Sequence, residues 1–476
     1  MTSQNATQKT KTKTKTNKSR LRKTMRRSHL TTFIYDVVIV GGGIGGLYTA
    51  YRLLKRAPNA RVLVLEKSPD VGGRVYTYAG FDGATVEAGA GRFSNHHVRL
   101  RKLIGELGLA KRVVRIPGGF SYMPSSGSRA SLPGSEKDVA DVIRASRKAR
   151  VSDLRTISFI DYATNAIGKD RAKHIVDSFG YYSELIIMNA YDAIRLMKIL
   201  DTNSKSNTFY GLAGGFSQII EGLKKSIVSR PNAEIRTKTE VVQILEKKER
   251  TYECVLADGS SVMAQQCVFA LPRPALEKLD LFRPLKPELS QVSCGTLCRI
   301  YSQFNTTDKE WLKGLNKTTT NNDLRMIIPI DYQTGVVMIS YTDNKYADKW
   351  NRLHKLDIAN NKHKDTSKNE NENENEKNQL VDSRVATLIH DTLGIRIAKP
   401  KKTVVFYWDC GVGYWTIGAN SHQVAKRMVC PFPGKRLFVC GEHFSENHQQ
   451  WMEGALETSE LALRLVGVDT AIFESR

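Results

Sequence analysis

The chain has no uninterrupted apolar run of about 18 residues, the length needed to cross a hydrocarbon core. Its first 30 positions also lack the apolar segment of a secretory signal. Neither a membrane-spanning helix nor an export signal is expected, and the protein reads as water-soluble. Cysteine is scarce as well: Cys254, Cys267, Cys294, Cys298, Cys410, Cys430 and Cys440 make an odd number, spread thinly, with no CxxC pair. That excludes a disulfide framework and fits a reducing intracellular compartment, the cytoplasm first. The short spacing from Cys294 to Cys298 has no second ligand pair nearby, so both are read as small buried or half-buried residues rather than zinc ligands, and no metal is expected.

Acid is the other shortage. Asp and Glu total 48 against 72 Lys and Arg, a formal charge of +24. Ten of those basic residues, and no acid, fall within residues 1–32, which leaves +14 on the remainder. The alternating KTKTKTK run has almost nothing to bury and reads as a disordered tail. It suits a solvated appendage with weak polyanion contacts, a nucleic-acid or virion-packaging role through counterion release, or an organelle-targeting peptide. A second low-complexity stretch at about 360–378, NNKHKDTSKNENENENEKN, reads as a disordered surface insertion, flanked on both sides by foldable sequence.

The rest is patterned. Residues 34–40, IYDVVIV, form a short continuous apolar run, the mark of a strand buried on both faces of a parallel sheet. GGGIGG follows, then the helical stretch LYTAYRLLKRA, then a second strand at 61–65: one βαβ unit. Residues 97–205 read mostly as helices, 233–270 as short strands around the turn ADGSS, and 295–345 and 403–418 as strands again.

Gly41, Gly43 and Gly46 make G-x-G-x-x-G between strand and helix, and Glu66 ends the next strand. In that context Gly41 permits a tight turn, Gly43 lets backbone approach a pyrophosphate, and Gly46 lets helix and strand pack closely. The helix N-terminus then faces the phosphates, and Glu66 accepts from the adenosine ribose. Gly72, Gly73 and Arg74 follow in KSPDVGGRVYT, a second clamp that favours tightly held FAD over NAD.

IVGGGIGGLYTAYRL, EKSPDVGGRVYT, EAGAGRFSNHHVRLRKLIGELGL and FVCGEHFSENHQQWMEGALETSELAL, in this order, resemble the flavin-containing amine oxidase superfamily of monoamine, polyamine and L-amino-acid oxidases. The likeness runs from about 33 to 466. It implies an α/β fold: a Rossmann-type FAD-binding domain intergrown with an α+β substrate domain made of a mixed sheet and a helical subdomain. The FAD domain would be discontinuous, from 33–96, 207–285 and 432–470; the substrate domain would take 97–206 and 286–431.

The resemblance also implies roles. Val241 matches the backbone contact to adenine, Gly441 and Glu442 the contacts to phosphate and ribitol, and Trp451 and Met452 the neighbours of the isoalloxazine. Tyr414 and Trp451 take the two ring positions that steer the substrate amine through their π faces. Arg299, in GTLCRIY, stands where many relatives have a lysine, and it cannot act as a base. Gly413 stands where monoamine oxidases have a cysteine bonded to FAD, so the flavin is expected to be dissociable. Arg92 matches the arginine that holds the carboxylate in L-amino-acid oxidases, or else it anchors the loop over the flavin; the supporting tyrosine of those enzymes falls near Ile327 and Ile328. His96, His97, His443 and His448 are candidates for the cavity lining, though each reads first as a loop or surface residue.

The implied activity is hydride removal from the amine-bearing carbon of an amine or L-amino acid, with dioxygen as acceptor and hydrogen peroxide released. A desaturase and a catalytically weak FAD-binding scaffold with a nucleic-acid-binding tail are the rival readings.

Overall fold

Short runs of β-branched and aliphatic residues with no polar alternation can be satisfied only by burial on both faces, and they build the centre of the molecule. The computed structural model describes residues 33–127, 131–200, 208–364 and 378–467. A parallel five-stranded sheet has the order Ala233–Arg236, Val62–Leu65, Val37–Val40, Cys267–Phe269, Leu437–Val439. Within it Val37 and Ile39 face one core and Val38 and Val40 another. The first core packs the sheet against helices Ile44–Arg56, Ser217–Val228 and Met452–Leu465 through Leu47, Leu53, Leu223 and Leu456. The second packs it against a four-stranded sheet ordered Ile34–Tyr35, Ser261–Ala264, Tyr252–Leu256, Val241–Glu246.

The apolar run at 34–40 is not the single strand expected from its pattern. It breaks at Asp36, which is buried, accepts the Arg61 backbone N–H at 2.7 Å and pairs with the Arg61 guanidinium at 3.0 Å. Ile34–Tyr35 then pairs with Met263 and Ala264 in the four-stranded sheet, while Val37–Val40 enters the five-stranded one. A change of sheet leaves hydropathy unaltered, so the pattern alone could not reveal it.

A six-stranded sheet forms the other half, ordered Lys402–Trp415, Val292–Gln303, Val336–Asp343, Met326–Asp331, Thr318–Thr319, Ser121–Tyr122; only its last pair is parallel. Trp350 of helix Asn344–Lys364 and Val381 and Val385 of helix Gln379–Leu393 cover one face of it with Ile300 and Val337. A cluster of helices, including Phe159–Ile167, Lys169–Ser178 and Ala190–Leu200, shares a core with Tyr414 and Trp451. The fold is thus the expected mixed α/β architecture with helical and sheet subdomains.

Two expectations need correcting, and a third cannot be followed. The insertion foreseen at about 360–378 begins inside helix Asn344–Lys364, and at its far end Asn378 is buried and donates to the Thr403 carbonyl at 2.8 Å. Residues 365–377 lie outside the described residues. Cys294, read only as a small residue with no partner named, is half-buried and forms a disulfide with Cys410. They are 116 residues apart in sequence, and only the pairing of their two strands brings them together. The basic tail, with any nucleic-acid role, lies outside the described residues. Among the described residues no helix is long and apolar enough to cross a membrane.

Candidate active site

The site begins at the glycine turn. Gly41 has φ +106°, and a Cβ there would lie 2.5 Å from the Ala270 carbonyl oxygen, so only glycine makes this turn without displacing the neighbouring strand. A Cβ on Gly46 would overlap the Gly41 carbonyl oxygen, so the helix can sit on the turn only with glycine at this position. Gly43 differs: a Cβ there would meet no protein atom within 4 Å. Helix Ile44–Arg56 that follows has no side-chain cap and no acid in its first turn. Its N–H groups and the open space beside Gly43 suit an anionic phosphate bridge. The second glycine pair is tied to the first, the Gly72 N–H donating to the Gly42 carbonyl at 2.9 Å. Glu66 is buried and accepts from the backbone N–H groups of Gly42 and Ser68, each at 2.8 Å. Both oxygens keep a free lone pair, so the carboxylate can also receive ribose hydroxyls.

A cavity of about 1420 Å³ opens from this turn and runs to the six-stranded sheet and the helical cluster. Among the sequence-predicted site residues only Gly46 does not line it. Gly41, Gly43, Glu66, Gly73, Arg74 and Val241 border one part; Arg92, Arg299, Tyr414, Gly441, Glu442, Trp451 and Met452 border the rest.

Arg74 does not stand free as a phosphate clamp. Its guanidinium donates to the Gly411 carbonyl at 3.0 Å and to Glu442 at 2.5 Å. Glu442 also accepts from the backbone N–H of Gln450 at 2.8 Å and of Gly413 at 3.4 Å, so one buried carboxylate ties together three chain segments. Burial pushes this carboxyl up, but His443, Arg74 and the Gln450 amide outweigh it and hold it well below the usual carboxylate range.

Trp451 stacks on Phe209 at 6.0 Å between centroids with 17° between planes, and its indole N–H has no partner among the described residues. Arg92 lies over Phe209 and Trp451, at 4.8 and 5.7 Å from the ring centroids, and donates to the Tyr181 hydroxyl at 3.2 Å. Among the described residues no carboxylate lies within ion-pair reach of Arg92. A tyrosine does stand beside this arginine, Tyr181, supplied by a different segment from Ile327 and Ile328. Tyr414 is fully buried, and Gly295 on the paired strand leaves room for its ring. Arg299 is held by the Glu87 carbonyl at 2.7 Å and lies 4.4 Å from the Tyr341 centroid. Burial pulls its pKa down, but the phenol groups of Tyr341 and Tyr301 raise it overall, so it stays charged.

Two residues of the cavity wall escaped the sequence reading, and a third was read first as superficial. Glu184 is buried on the cavity wall with one carboxylate oxygen unpartnered; burial and then Asp343 push its pKa up. Lys317 borders the same cavity, 5.1 Å from the Phe120 centroid, and burial followed by the charge of Arg92 lowers it to about 8. His443 is completely buried rather than superficial, and it lines the cavity. His97 is buried too, His448 is half-buried against Glu457, and His96 alone of the four is exposed. Glu184 and Lys317 sit in stretches, YYSELIIMN and LNKTTTNN, that carry no motif, so no local signal marked them. His443 sits inside a motif but beside its more conspicuous acid.

A family model described as flavin-containing amine oxidoreductase matches residues 44–466. Protein R188 of Acanthamoeba polyphaga mimivirus, itself uncharacterised, is 23% identical over 499 residues, covering 93% of this chain and 96% of that one. Coproporphyrinogen III oxidase of Staphylococcus aureus is 32% identical over 99 residues, 21% of either chain. Among solved structures, an engineered putrescine oxidase superposes with a TM-score of 0.71 at 17% identity, over 91% of this chain and 99% of its own, a likeness of fold.

Proposed function

We propose that this chain, which belongs to the flavin-containing amine oxidoreductase family, is an oxidase that removes a hydride from the amine-bearing carbon of an amine or L-amino acid. Its cofactor is FAD, and the residues fit that group: the open space beside Gly43, an uncapped helix start and a buried ribose acceptor at Glu66 are what a dinucleotide needs. Residues 33–96, 207–285 and 432–470 are assigned to the cofactor, and 97–206 and 286–431 to the substrate. Gly41, Gly43, Gly73, Val241, Gly441 and Glu442 would hold the FAD, with Met452 and Trp451 toward its reactive end.

When bound, FAD supplies the two-electron acceptor for the hydride and returns the electrons to dioxygen as hydrogen peroxide. The protein's part is to hold a neutral amine and keep water away. Tyr414 and Trp451 offer π faces to the amine. Arg299, permanently charged, contributes field and not proton transfer. The substrate therefore loses its ammonium proton before the hydride leaves, and water hydrolyses the resulting imine to a carbonyl compound.

The observation that carries this reading is the meeting of the glycine cradle, the two rings and Arg92 in one cavity. Lys317, close enough for the charge of Arg92 to depress its pKa, favours substrates that carry a carboxylate, since two neighbouring cations suit one anion. The test is a peroxide-coupled screen of L-amino acids and mono-, di- and polyamines on FAD-loaded protein, with anaerobic flavin bleaching as the second readout. Bleaching by an amine or amino acid is expected. Bleaching only by a compound without an amine would transfer the site to the desaturase reading, and bleaching by nothing would favour the scaffold. Gly413 offers no thiol, so acid precipitation should release all the flavin into the supernatant.

A further inference from the structure

The cavity wall carries a second centre that the oxidation of a substrate does not use. Strands Val292–Gln303 and Lys402–Trp415 pair in register through Gly295 and Val412, then slip before resuming at Leu297 and Trp408. Cys410 falls in the slipped segment. There it bonds to Cys294 and borders the cavity that also holds the glycine cradle and the two rings. Its sulfur lies 3.5 Å from His443 Nε2. The other ring nitrogen, Nδ1, accepts the Arg273 backbone N–H at 3.2 Å, so a neutral His443 carries its proton on Nε2, which is shared between the sulfur and Glu442 Oε1 at 3.1 Å. The Arg74 guanidinium reaches within 3.4 Å of the same nitrogen and is bonded to the carbonyl of Gly411, the residue after the cysteine.

We propose that Cys294–Cys410 is a redox-active disulfide that accepts the electron pair of the reduced flavin held in this cavity. The step rests on FAD occupying the cavity and not on which substrate reduced it. The reduced, anionic flavin gives up two electrons and one proton and returns to the oxidised form. The S–S bond breaks, Cys294 leaves as a thiol carrying that proton, and Cys410 leaves as a thiolate facing the His443 N–H. Two features make such a disulfide reducible: access to the donor, and a leaving sulfur within reach of an N–H donor, here the His443 Nε2–H, while the charge of Arg74 is balanced by Glu442. Among the described residues no other cysteine borders the cavity. Cys254, Cys267, Cys298 and Cys440 are buried in apolar cores, and burial raises the thiols of Cys298, Cys430 and Cys440.

The test uses the full-length, FAD-loaded protein titrated anaerobically with dithionite, with acid quench, alkylation and peptide mass analysis at each point. Complete reduction should take four electrons per chain, with the peptides of Cys294 and Cys410 changing from cross-linked to alkylated. Flavin-free protein given the same dithionite should keep the cross-link, and the Cys294→Ser/Cys410→Ser protein should take two electrons. Full bleaching after two electrons with the cross-link intact would overturn the proposal. So would aerobically purified protein in which both thiols are free and hold one equivalent of zinc with His443, since the three ligand atoms lie within 4.8 Å of one another. Protein that takes up no flavin would be recognised by its missing absorbance; it would refute the cofactor reading and this step with it.

Discussion

The two ends of the cavity are built in opposite ways. At the glycine end Gly41, Gly43, Gly46 and Glu66 lie within one βαβ unit, and their geometry follows from backbone sterics: a positive φ, a helix seated on a turn, an uncapped helix start. At the far end Arg92, Glu184, Lys317, Arg299, Cys410 and Trp451 come from separate parts of the chain and meet only because a sheet, a helical cluster and a C-terminal loop converge. The first end is strict about shape and tolerant of surroundings. The second depends on charge and burial, so its substitutions should change chemistry more readily than folding.

The largest effect should come from Gly46→Val. The added side chain would overlap the Gly41 carbonyl, and overpacking of this kind costs about 1–3 kcal/mol or more. Purified protein should be colourless with a lowered Tm; a yellow protein of unchanged Tm would show that the strictness assigned to this end is misplaced. Next comes Trp451→Ala, for which FAD content should persist while kcat falls by about a hundredfold, the scale expected when a reacting group is misplaced. Loss of flavin together with turnover would instead join Trp451 to the cofactor end.

Arg92→Lys should raise KM for carboxylate-bearing substrates by about tenfold and leave simple amines unaffected, because a planar two-pronged donor is replaced by a point charge. An equal rise for both substrate kinds would make Arg92 a loop anchor. The smallest effect is one of pH. Lys317 titrates near 8, so it is charged below that value and neutral above it. KM for a carboxylate-bearing substrate should therefore climb a few-fold as pH passes 8, and Lys317→Met should flatten that climb. A profile unchanged by the substitution would remove Lys317 from substrate binding.

The same contrast explains what could be read before folding. The parallel-sheet strands, the glycine turn and the order of the family motifs are each properties of contiguous residues, and the structure contains them. The break at Asp36 was invisible because hydropathy does not record which sheet a residue joins. Arg74 was legible as a cation beside a glycine loop, but its engagement with Glu442 and Gly411 depends on segments more than 300 residues away. The pairing of Cys294 with Cys410 was missed for the same reason: spacing along the chain says nothing about two strands that meet through a slipped register.

By itself the sequence determined the local elements and the cofactor turn, because steric limits on φ, ψ and close packing act over a few residues and leave a signature in glycine and apolar spacing. Tertiary structure decided which charges share the substrate end, which carboxyl loses its water and which thiols meet. Desolvation and Coulomb interactions depend on distances in space, and those distances are set only when the two halves of the fold close around the cavity.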